Sequence, residues 1–73
     1  MGDESNIQIL KDKIDQLNKQ AWEERVNDSI QAHVLSEETI GLAESINYAK
    51  GKAEGYRTFG FSLIRLSKHH EAL

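Results

Sequence analysis

At 73 residues the chain makes one small domain at most, and it sets twelve acidic residues against nine basic ones for a formal charge of -3. So short a chain buries only roughly 60% of the surface it exposes when unfolded, and it leans on disulfides, metals or association for stability. There is no cysteine, which removes disulfides and thiolate metal sites and leaves association.

The basic residues are scattered, so no nucleic-acid footprint is expected. No apolar run approaches the roughly 20 residues of a membrane span. The opening "MGDESN" is polar and acidic, unlike a signal peptide. Asn6 stands where a myristoylation pattern needs Ser or Thr. A soluble cytoplasmic protein is the expectation, with neither nucleic acid nor membrane as partner.

Proline is absent and apolar–polar alternation is not sustained, so the fold class expected is all-α. Ile7, Leu10, Ile14, Leu17 and Ala21 recur at spacings of three and four, predicting a first helix over 5–26, with Asp3 or Ser5 as its cap and Trp22 and Val26 widening the apolar face. "NDS" at 27–29 punctuates: Asn27 tolerates a left-handed backbone, and Asp28 can cap a second helix with Gln31 completing the box. That helix is expected over 29–46. "SEET" at 36–39 resembles a fresh helix start, but the apolar face runs from Leu35 to Leu42 without slipping phase, so one continuous helix is predicted. "NYAKG" at 47–51 supplies the second turn, with Asn47 and Gly51 as its flexible points. A third helix follows over 52–66, with Ala53, Tyr56, Phe59, Gly60 and Leu63 as its buried stripe. Ser67 or Lys68 then turns the chain into a short helical stub at 69–73. Trp22, Leu35, Leu42, Tyr56, Phe59 and Leu63 are the candidate core.

Tyr56, Phe59, Gly60 and Leu63, followed by Ala72, fall at the spacing of the tetratricopeptide pattern W-x2-L-G-x2-Y with its later alanine. Upstream, Ala21, Trp22, Arg25, Asp28, Ala32, Leu42, Ala43 and Gly51 resemble the first repeat in helical N-terminal regions of bacterial signalling proteins, such as sensor histidine kinases and nucleotide cyclases. The resemblance covers residues 17–73. Gln20, Glu24 and Ser36 depart from it, standing where large apolar residues are expected. It implies antiparallel helical hairpins, about one and a half repeats in a single domain, 1–73. Since about three such repeats are needed for stability, it also implies a piece of a longer protein. In this register Gly60 would allow close approach of the paired helix. Asn18, Trp22 and Arg25 in the first helix and Arg57, Phe61 and Arg65 in the third would line a partner-binding face.

Chemistry is not indicated. His33 with Glu37, and His69 and His70 with Glu71, fall short of the three or four ligands that a metal site needs. The "EAL" at 71–73 lacks a barrel to hold metals. No nucleophile–base pairing or glycine-rich phosphate loop is present. Neither a cofactor nor an enzyme is expected. The expected role is an interaction module of a signalling protein, binding a protein partner or itself. A purely structural homodimer is the alternative, joined through Ile7, Leu10, Ile14 and Leu17 of the first helix and Phe59, Leu63 and Leu66 of the third.

Overall fold

The computed structural model describes residues 2–72, with side chains from Asn6 to Lys68. The chain is all-α: helices α1 (Gly2–Glu24), α2 (Ser29–Ser45) and α3 (Ala49–Ala72), with no strand among the described residues. Since α1 starts at Gly2, Asp3 and Ser5 lie within it instead of capping it.

The two turns are built as polar side chains dictate. Asp28 caps α2, its Oδ1 accepting from the Gln31 amide at 3.0 Å. Asn47, at φ 55°, is the one non-glycine described in the left-handed region; Asn27 is not. The Tyr48 amide reaches the Ala43 carbonyl at 2.8 Å and the Asn47 amide the Glu44 carbonyl at 3.3 Å, the paired bonds of a Schellman ending.

Through Ser36–Thr39, α2 runs unbroken. The Ser36 and Thr39 hydroxyls donate back to the carbonyls of His33 and Ser36, at 2.8 and 2.9 Å, so both can be buried without loose polar groups. Residues 69–72 are helical as expected, but they continue α3 instead of starting a fourth helix. Neither Ser67 nor Lys68 removes an amide or demands a special backbone, so nothing breaks the helix there.

The buried stripe of α3 is Gly51, Gly55, Thr58 and Ser62, in place of the expected Ala53, Tyr56, Phe59, Gly60 and Leu63. The buried positions of α2 are Ala32, Leu35, Ser36, Thr39 and Ala43, and those of α1 among the described residues are Ile14, Asn18 and Ala21. Helices seated on small residues approach closely. A Cβ on Gly55 would lie 2.7 Å from Ile40 Cγ1 and 2.9 Å from Thr39 Oγ1; one on Gly51 would lie 2.7 Å from both Ile14 Cγ2 and Tyr48 Cδ2. Gly60, expected at a close helix contact, has nothing within 4 Å of its Cβ position. The large residues are displaced outward: Tyr56 and Leu63 are 50% and 51% exposed. Of the rest of the expected core, Leu35 is buried, and Trp22, Leu42 and Phe59 are half-buried.

Contacts fix the directions. Asn18 meets Gly51, and Trp22 meets Arg57 and Phe61, so α1 and α3 run parallel. His33 meets Ser62 and Tyr56 reaches Glu44, so α2 runs against α3. Asp15 sits at the level of the α2–α3 turn and Arg65 at that of the α1–α2 turn. The start of α1 and the end of α3 therefore overhang at opposite ends. The molecule is a rod of 53 × 17 × 14 Å with a radius of gyration of 13.5 Å, against about 11 Å for a compact domain of this length.

Candidate partner-binding face

Trp22 stands in the last turn of α1 and Arg25 just beyond its end, in the turn that follows, and α3 carries Arg57, Phe61 and Arg65 at spacings of four. Because the two helices are parallel, these rows meet along their seam. The Arg25 and Arg57 guanidinium carbons lie 3.9 and 4.0 Å from the Trp22 ring centroid. Arg25 also sits 5.4 Å from the Phe61 ring, and Trp22 meets Phe61 edge-on at 5.8 Å. Cations over an indole face are held by its quadrupole, which fixes both guanidiniums without neutralising them.

Arg65 closes the row. Its Nε donates to Ser29 Oγ at 3.2 Å and its Nη2 to the Val26 carbonyl at 3.4 Å, and Ser29 Oγ in turn donates to the Arg25 carbonyl at 2.9 Å. A shallow groove of about 360 Å³ lies beside it, lined by Val26, Asn27, Asp28, Ser29, Ile30, Arg65 and Leu66. The two ion pairs among the described residues are Lys50–Asp15 at 3.6 Å and Lys52–Glu44 at 3.8 Å. None of the three arginines shares a carboxylate. Two atoms in this region, Arg25 Nε and Glu24 Oε2, are enclosed without a hydrogen-bond partner.

Five of the six residues expected to receive a partner thus converge. Asn18 does not belong with them: it is 3% exposed, and its Nδ2 donates to the Gly51 carbonyl at 3.0 Å. It ties α1 to α3 beneath the face. Of the residues expected at a dimer interface, Ile14 is fully buried beside Gly51 of α3 and is unavailable, and Leu10, Leu17, Phe59 and Leu66 are half-buried. Ile7 and Leu63 remain exposed.

One constellation had no signal in the sequence. Tyr48 donates its hydroxyl to the Asp15 carboxylate at 2.9 Å, Lys50 pairs with the same carboxylate, and the Lys11 ammonium stands 5.3 Å from the Tyr48 ring. The hydrogen bond to Asp15, and then burial and the carboxylate charge, raise the Tyr48 pKa above its ordinary value; the Asp15 charge likewise raises that of Lys50. Lys11 and Asp15 lie more than 30 positions before Tyr48 and Lys50 in the chain, so only the fold joins the two pairs. The cluster clasps the α2–α3 turn to α1.

No family model, curated protein or solved structure matches this chain. No helix among the described residues is long and apolar enough to cross a membrane.

Proposed function

We propose that the chain is a non-catalytic protein-interaction module, a tetratricopeptide-like segment of the kind found at the N-terminus of cytoplasmic bacterial signalling proteins. The observation that carries this reading is the seam of α1 and α3: three arginines without carboxylate partners, two of them stacked on Trp22, in a chain that is acidic as a whole. Arginine and aromatic residues are what contact faces enrich, and a guanidinium fork matches a carboxylate in bidentate geometry. The partner is therefore an acidic protein surface.

Trp22 is the only tryptophan and lies under the arginines, so its fluorescence reports the face. Titration with a glutamate-rich helical peptide should shift Trp22 emission. The double variant Arg57→Ala, Arg65→Ala should lose the response while keeping its helical circular dichroism at room temperature, with the melting temperature lowered only modestly by the loss of the Arg65 bonds to Ser29 and Val26 and of the Arg57–Trp22 contact. An unchanged response in that variant sinks the reading.

A second reading, a homodimer closed through α3, is favoured by the exposed Leu63 beside half-buried Phe59 and Leu66. It predicts a mass of two copies that Leu63→Asp returns to one.

A further inference from the structure

We infer that the acidic surface docking on the arginine seam is the outer face of α2 in a second copy of this chain, so that copies stack head to tail. The inference rests on reading the seam as a docking face.

The first observation is a glycine without an internal purpose. A glycine inside a helix weakens it relative to alanine. Gly51 and Gly55 repay that loss by letting α3 approach Ile14, Tyr48, Thr39 and Ile40. Gly41 does not: it lies mid-helix in α2, exposed, with nothing within 4 Å of its Cβ position. The bare backbone at Gly41 suits a neighbouring molecule that approaches closely.

The second is the company Gly41 keeps. Ile30 and Val34, at spacings of eleven and seven residues, share its side of the helix and are 67% and 50% exposed. Beside them stand exposed Glu37 and Glu38, neither in an ion pair among the described residues. No lysine or arginine occurs anywhere in α2. This is an apolar strip bordered by unneutralised carboxylates. The seam is its complement, with Arg25, Arg57 and Arg65 unneutralised and Val26 and Ile64 exposed beside them. Pairing one with the other satisfies both charges. Pairing α3 with α3 would instead oppose Arg57, Arg65 and Lys68 of each copy, with Glu54 as the one acidic side chain described in the helix.

The third is direction. Because α2 packs against both α1 and α3, its outer face around Val34 and Gly41 looks away from their seam, and the two come together only at the α1–α2 turn, where Ile30 and Arg65 line one groove. Two complementary faces on opposite sides of one molecule make a heterologous contact, which extends into a row and is not closed by a two-fold axis.

The test is the mass of the full chain by sedimentation over a range of concentrations, in about 0.01 M salt, where charges reach ~30 Å, and in about 1 M, where they reach ~3 Å. Mass should climb past two copies with concentration in low salt and fall to one in high salt. Gly41→Trp blocks one face at a site with room for the ring, and Glu37→Lys with Glu38→Lys blocks the same face by charge. Arg57→Glu with Arg65→Glu blocks the other face. Each variant alone should stay at one copy. A one-to-one mixture of Gly41→Trp with the arginine variant should give two copies and no more, because each retains one intact face. A wild-type mass that stays at one copy, or stops at two, overturns the inference, as does a Gly41→Trp protein that assembles like the parent. If the parent stays at one copy yet still binds the glutamate-rich peptide through Arg57 and Arg65, the seam remains a docking face and the second copy is rejected as its occupant.

Discussion

Asn18 shows how much one enclosed amide can carry in so thin a molecule. Its bond to the Gly51 carbonyl is buried, and its Oδ1 has no partner among the described residues. Asn18→Ala removes a tie between α1 and α3, and a loss of about 1–3 kcal/mol in chemical denaturation is expected. Glycines separate by what surrounds them. Gly55→Ala pushes a methyl onto Ile40 and Thr39, so it should destabilise by about 1–3 kcal/mol. Gly60→Ala enters open space and should stabilise by about 1 kcal/mol through helix propensity. Equal melting temperatures for the two variants would contradict the packing register. The Tyr48 clasp has a signature in pH. The folded-state pKa values of Tyr48 and Lys50 are both raised, so the folded state holds these protons more tightly than the unfolded chain. Their contribution is then complete below the ordinary values near 10.0 and 10.5 and is lost as pH rises through the folded ones. Stability should decline above about pH 10, and less steeply in Tyr48→Phe.

At the scale of elements, what could be read in advance was whatever rests on local chemistry. Asp28 announces the start of α2 and Asn47 its end, because capping and left-handed turns need those side chains wherever they occur. Asp28→Ala should accordingly cost about 1 kcal/mol of melting stability. The seating of α3 was not legible. Apolar periodicity favours its large residues, and Tyr56, Phe59 and Leu63 make a clear stripe. The helix instead turns Gly51, Gly55, Thr58 and Ser62 inward, a stripe of little hydrophobic weight that allows backbones to close up. Ser62 also shows why buried polarity is tolerated: its hydroxyl donates to the Phe59 carbonyl at 3.0 Å, leaving its oxygen to accept from His33 Nδ1 at 2.9 Å. Most of the seam was legible because Trp22 with Arg25, and Arg57, Phe61 and Arg65, already repeat at helical spacing. Burial of Asn18 was not, since only the approach of α3 encloses it.

The whole molecule is long for its mass because three helices are staggered instead of bundled flush. An exposed seam on one side and an acidic helix on the other give it two distinct sides. Salt should therefore act on association far more than on folding: the melting temperature of the dilute protein should change little between low and high salt, while any mass above one copy collapses. An odd number of helices has another result. Because α1 and α3 run the same way, the chain enters the rod at one end and leaves it at the other. Joining those ends for a circular permutant would require a connection along the 53 Å axis, roughly 16 extended residues. A permutant opened at Asn47 with a short linker should fail to fold, and one with a linker of about 20 residues should recover the parent's helical signal in circular dichroism.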